Sequence, residues 1–213
     1  MVYRVYGDIQ SGNCYKIKLL MNHLEIDHEW IDINILQGET RTEEFLAKNS
    51  NGRIPVLELA SGQCLSESNA ILNYLAQGTS YLPDDPWLRA KVLQWQFFEQ
   101  YSHEPYIAVA RYIAKYLGLP KERQQEFENK KSGGYQALAV MEKQLSEAEF
   151  FVNNTFTIAD ISLYAYTHVA HEGGFELKPY PAIESWLSRI SSHPRHITMN
   201  DFSSPISFPS SAK

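Results

Sequence analysis

Two short stretches hold residues whose types and spacing could do chemistry. One is Asn51-Gly-Arg-Ile-Pro-Val-Leu-Glu-Leu59, followed after a turn by Leu65-Ser-Glu-Ser-Asn-Ala-Ile-Leu-Asn-Tyr74. It reads as turn, strand, turn, strand, helix. Pro55 stands at the head of an apolar run, where proline gives up a ladder hydrogen bond. A cis Ile54–Pro55 bond would turn the Ile54 N–H and C=O toward a ligand. Ser66-Glu67-Ser68 opens a helix, and a helix N-terminus with short hydroxyls is a ready anion site. The unit thus offers a peptide-like edge at Ile54 and a carboxylate cradle at Glu67-Ser68. The other stretch is Ser11-Gly-Asn-Cys14, at the start of the first helical pattern. There a short hydroxyl meets the positive end of a helix dipole.

The elements that must position these residues follow from periodicity. Val2 to Tyr6 and His28 to Ile33 read as strands, with a helix between them carrying Ile17, Leu20, Met21 and Leu24. Thr42 caps a short helix with Phe45 and Leu46 inward. Ile71 and Leu75 are expected on the inner side of the helix from Ser68, with Ala70 and Tyr74, and Gly78 ends it. Residues 1–78 form a β-α-β-α-β-β-α unit, and residues 79–86, with Pro83 and Pro86, form a linker. Residues 87–200 read as all-helical. Trp87 to Leu117 is one long pattern with Leu88, Val92, Trp95 and Phe98 on one face, kinked near Tyr101 by Pro105. Pro120 to Glu147 is a second helix, in which Gly133-Gly134 implies a bend or a close contact. Thr157-Ile-Ala-Asp160 is a capping box, and Pro181 starts a last helix. From Pro194 the chain is rich in Ser and Pro, so residues 201–213 are expected to be a poorly ordered tail.

Composition limits the function classes. A chain of 213 residues with a net charge of -6 disfavours nucleic acid and anionic membrane as partners. No apolar run approaches the roughly 20 residues of a membrane span. The N-terminus lacks the long apolar core of a signal peptide. Two cysteines, Cys14 and Cys64, suit a reducing, cytoplasmic setting rather than a disulfide framework. The seven histidines show no metal spacing, so no metal is expected.

The stretch from Asn51 to Ser68 resembles the glutathione site of the cytosolic glutathione transferases. Their thioredoxin-like domain carries N-P-x-G-K/R-I/V-P-V/T-L and then E-S at the start of the third helix. This chain departs only at Ser50, which stands where the pattern has proline. T-x-A-D-I at Thr157 also matches the helix-start signature of the family's second domain. The resemblance covers nearly the whole chain. It implies a glutathione-binding domain at 1–78 and a helical domain lining an electrophile site at 87–200.

The resemblance also assigns roles. Serine-type transferases carry S-x-x-C before the first helix, matched by Ser11 and Cys14. Bacterial relatives with disulfide-bond reductase activity carry T-P-N-G, whose Thr and Asn positions are Ser11 and Asn13. These two are the catalytic candidates. Cys14 as a nucleophile and Tyr6 as a tyrosine-type activator are rivals, although both also suit a core position. Glutathione, the expected co-substrate, would meet the Ile54 backbone beside Pro55, and its glycine carboxylate would meet Arg53. Glu67 would take its γ-glutamyl ammonium and Ser68 the carboxylate, with Thr40 and Arg41 as further contacts. The electrophile would be lined by Tyr101, His103, Tyr106, Ala110 and Arg111.

Three functions are compatible with these residues. One is a detoxifying transferase acting on a small electrophile. The second is a glutathione-dependent disulfide reductase or peroxidase. The third is a non-catalytic binding module, against which the full thiol-contact set argues. A homodimer is expected, with Asn69, Asn73, Gln77, Arg89, Gln96 and Glu99 on its outer stripes.

Overall fold

The computed structural model describes residues 2–201. The chain divides into two compact units, one running to Gln77 and resumed at Pro194, the other spanning Gly78–His193.

The first unit is a four-stranded mixed sheet with helices. β1 (Tyr3–Gly7) pairs in parallel with β2 (His28–Asp32), which the crossover through α1 (Gly12–His23) allows. α2 (Glu43–Lys48) leads to β3 (Val56–Glu58), antiparallel to β1, and β4 (Cys64–Ser66) pairs antiparallel with β3. The strand order is β2-β1-β3-β4. Val5 pairs with both Trp30 and Leu57 at the sheet centre. α1 buries Cys14, Ile17, Leu20 and Met21 together with Tyr15, Lys16 and Leu19, so only a narrow edge meets solvent.

α3 (Ser68–Leu75) corrects one expected phase. Its buried face is Ser68, Ile71, Leu72 and Leu75, at i, i+3, i+4 and i+7. Ala70 and Tyr74 face solvent instead, Tyr74 being 42% exposed. Burial of Ser68 sets that phase.

The second unit is helical. α4 (Pro86–Phe98) is capped by Asp85, whose carboxylate accepts from the Leu88 N–H at 2.9 Å. The expected kink is a π-helical turn at Glu99–His103, ending two residues before Pro105, which has no N–H to continue the ladder. α5 (Glu104–Arg111) follows, then a second π-helical turn at Tyr112–Tyr116. α6 (Gln124–Leu145), α7 (Ile158–Thr167) and α8 (Pro181–Ser191) complete the unit. α6 is continuous through Gly133-Gly134. These glycines serve close approach: a Cβ at Gly133 would overlap the Tyr106 ring of α5, and one at Gly134 the Phe175 ring.

Asp160 is fully buried and ties three segments together. Its carboxylate accepts from the Phe151 N–H at 3.1 Å and Trp186 Nε1 at 3.0 Å. It also accepts from the Thr157 N–H at 2.9 Å and Thr157 Oγ1 at 3.1 Å, completing the capping box of α7.

Residues 194–200 overturn their assignment to the helical domain, and Asp201 its place in the tail. They return to the first unit and lie along α1. Tyr15 donates its hydroxyl to the Ile197 carbonyl at 2.7 Å, and Asn22 Nδ2 donates to the Arg195 carbonyl at 2.7 Å. Arg195 donates to the His23 carbonyl at 2.9 Å and meets Glu25 at 3.1 Å, while Lys18 donates to the Asp201 carbonyl. Met199 is buried. The rest of the expected tail, 202–213, lies outside the described residues.

Candidate active site

The turn before β3 is held by its own side chains. Asn49 is buried; its Nδ2 donates to the Arg53 carbonyl at 2.7 Å and its Oδ1 accepts from the Asn51 N–H at 3.1 Å. Gly52 has φ 62 and is buried beside the Thr40 carbonyl and the Arg41 guanidinium, so a larger residue has neither the conformation nor the room. Arg41 donates to the Asn51 carbonyl at 3.3 Å, which ties the short 3-10 turn Glu39–Arg41 to the same place. Thr40 itself is buried, and the Arg53 side chain is exposed.

The Ile54–Pro55 peptide is cis. Val56 is paired with Ser66, so the register sets Pro55 opposite Glu67. Glu67 has φ 68 and ψ 112, a conformation that non-glycine residues rarely adopt. It sits at the N-cap position of α3, and holding a non-glycine residue there costs roughly 1–3 kcal/mol. Ser68 follows as the first, buried residue of that helix.

Ser11 is the N-cap of α1, its Oγ accepting from the Cys14 N–H at 3.4 Å. A hydroxyl that accepts in this way keeps its own proton to donate. Ser11 and Asn13 are both half-buried. Asn13 Oδ1 accepts from Ser68 Oγ at 3.2 Å, so the start of α1 and the start of α3 meet side chain to side chain. Lys16, fully buried, joins them: its Nζ donates to Asn13 Oδ1 at 2.8 Å and to Ser68 Oγ at 3.4 Å. Sequence reasoning missed Lys16. The available signal was its place three residues after Asn13, one helical turn on, within an apolar run.

The two rivals to Ser11 are accounted for. Cys14 is fully buried under Gly7, and burial pushes its thiol up to about 12, far from a thiolate at neutral pH. Tyr6 is buried in a cluster with Phe45 and Val56 and donates its hydroxyl to Glu58 Oε2 at 2.6 Å. Its own ionisation is raised by burial and by that carboxylate. Lys48 completes this arrangement, 3.0 Å from Glu58 and 4.9 Å from the Tyr6 ring centroid.

In the second unit the expected electrophile residues separate. Tyr101 is 75% exposed, and Tyr106 is half-buried against Gly133. His103 and Arg111 do not face a cleft. His103 is buried with Nε2 2.9 Å from Thr167 Oγ1, and Arg111 is buried on Glu172 at 2.6 Å. Ala110 is buried as well. Among the described residues no cluster of metal-binding side chains occurs.

A thioredoxin-like unit with a cis-proline edge, a strained helix N-terminus and a hydroxyl at the head of α1, followed by a helical unit, defines a glutathione-binding architecture. Two family models match in tandem: the glutathione S-transferase N-terminal domain over residues 1–77 and the C-terminal domain over residues 95–194. A glutathione S-transferase from Pseudomonas fluorescens Pf-5 is 62% identical, with a TM-score of 0.93, over 94% of this chain and 100% of that one. The glutathione transferase URE2P6 from Phanerochaete chrysosporium, solved with oxidised glutathione, is 26% identical with a TM-score of 0.81, over 91% and 92% of the two chains. The disulfide-bond oxidoreductase YfcG from Escherichia coli K12 is 28% identical over 86% of this chain and 88% of its own. The chain belongs to the glutathione S-transferase family, enzymes for which glutathione is the co-substrate.

Proposed function

We propose that this protein binds glutathione along the cis-Pro55 edge and activates its thiol through Ser11 and Asn13. The carrying observation is the meeting of Asn13 with Ser68, which links the thiol end of the site to its carboxylate end. Free thiols ionise near 8.5, so holding glutathione as thiolate at neutral pH takes about two units, roughly 3 kcal/mol. A donated Ser11 hydroxyl and the N-terminal dipole of α1 act together on that charge. The thiolate then attacks an electrophilic carbon; the C–S bond forms and the leaving group departs. Glu67 takes the γ-glutamyl ammonium, Ser68 its carboxylate and Arg53 the glycine carboxylate, with Thr40 behind the turn. Tyr101 and Tyr106 are proposed to meet the electrophile, and His103 and Arg111 are withdrawn.

The test is Ser11→Ala: glutathione affinity within a few fold, turnover with an aryl halide down by roughly 10²-fold, and loss of the bound-thiolate ultraviolet band. Normal turnover in Ser11→Ala would overturn the assignment.

A disulfide reductase is the second reading, favoured by Asn13 in the position that such relatives use. Turnover of a mixed disulfide without turnover of an aryl halide would select it. No helix among the described residues is long and apolar enough to cross a membrane, and a cytoplasmic homodimer is proposed. Leu93, Phe97 and Tyr101 repeat at i, i+4 and i+8 and are all exposed, with Phe97 stacked on Tyr101 at 6.4 Å. Gln96 and Glu99 are buried and leave the expected outer stripes, while Asn69, Asn73, Gln77 and Arg89 stay with the proposed interface.

A further inference from the structure

We infer that Lys16 is a positioning residue: it holds Asn13 by the amide oxygen, so that the amide's N–H groups form the edge offered to the sulfur of bound glutathione. The inference rests on the glutathione reading above and goes beyond it in assigning a buried lysine to the thiol end.

The geometry gives the reason. Lys16 Nζ carries donors only, so the Asn13 atom at 2.8 Å must be its oxygen. Ser68 Oγ, at 3.2 Å, reaches the same oxygen. With Oδ1 taken by two inward partners, the opposite edge of the amide consists of donors alone. A thiolate is stabilised by donors and is repelled by a carbonyl oxygen, so a flipped Asn13 would act against the reaction. A lone Asn side chain at the second position of a helix can present either edge. The lysine removes that choice. It is fully buried within α1, so its position is fixed by the helix. It also donates to Ser68 Oγ at 3.4 Å, the hydroxyl that gives its own proton to Asn13 Oδ1, so lysine and serine close together on the amide oxygen.

The experiment uses the full chain and glutathione itself. The bound thiol is titrated by its ultraviolet thiolate band in wild type, Lys16→Met, Lys16→Gln, Asn13→Ala and the Lys16→Met/Asn13→Ala double variant. Lys16→Met should raise the bound-thiol pKa by about one unit and lower turnover by roughly 10-fold or more. Affinity for S-methylglutathione, which has no thiol to ionise, should stay within about threefold. Lys16→Gln can still donate to Asn13 Oδ1 and should recover part of the thiolate; it also serves if Lys16→Met does not fold. In an Asn13→Ala background, Lys16→Met should add little, because the lysine acts through the amide. A thiolate titration unchanged by either lysine variant would overturn this inference, as would additive effects of the two substitutions. Absence of a glutathione thiolate band in the wild-type protein would instead overturn the transferase reading beneath it.

Discussion

At the scale of single residues, two neighbours on α1 have opposite fates. Ser11 is half-buried at the cap and offers a hydroxyl, whereas Cys14 is shut beneath Gly7 with its thiol pushed up to about 12. Cys14→Ala should therefore keep turnover within about threefold, and the apoprotein should show no thiolate absorbance from this residue up to pH 9. A hundredfold loss would return the cysteine to the chemistry. Glu58 gives a pH prediction. Hydrogen bonds from Tyr6 and Lys48 hold its carboxyl below the usual range. A lowered folded value means that its stabilisation is present above about 4.5, the unfolded value, and is lost as pH falls through the folded one. Glu58→Gln should flatten the acid limb of a denaturation series between pH 5 and 3, and an unchanged slope would contradict this. The site residues legible in the sequence were those fixed locally: the cis-proline edge, the cap, the helix start at Glu67-Ser68. Lys16 was legible only as a lysine one turn after Asn13 in an apolar run; that it is buried is a decision of the tertiary structure. His103 and Arg111 were misplaced for the same reason: polarity beside a kink does not say which side of the helix is covered.

At the scale of elements, the contacts that fix the helical unit are sharply local. The Gly133 surface of α6 lies directly against Tyr106 of α5. Gly133→Ala should cost about 1–3 kcal/mol by overpacking, read as a lower midpoint in urea, with Tyr106→Ala/Gly133→Ala less than additive. Asp160 gathers four hydrogen bonds from three segments, so Asp160→Ala should destabilise by about 3–5 kcal/mol. A loss below about 1 kcal/mol would show that neighbouring water or side chains replace the carboxylate. Sequence periodicity found these helices but not always their phase. On α4 the expected inner face of Leu88, Val92, Trp95 and Phe98 is the buried or half-buried one, but Gln96 and, in the turn after α4, Glu99 are buried against expectation, while Leu93 and Phe97 are exposed. An apolar stripe on both sides of a helix leaves the pattern without a unique inner face.

At the scale of the molecule, the exposed Leu93, Phe97 and Tyr101 stripe is the surface on which the proposed dimer depends. Light scattering at micromolar concentration should give twice the 24.5 kDa of one chain, and Phe97→Glu should shift it toward the single-chain mass. A wild-type mass near one chain would end the dimer reading. The return of residues 194–201 along α1 adds a second expectation. Ending the chain after His193 should weaken the first unit by roughly 3–7 kcal/mol, the sum of three hydrogen bonds and a buried methionine. The same return bears on biosynthesis. The first unit is begun before the helical unit and finished after it, with the whole helical unit inserted between. At ordinary ribosomal speeds that gap is roughly 5–25 s. During it the nascent sheet and α1 stand complete except for their closing strand of contacts, with Tyr15 and Asn22 waiting for a segment not yet translated.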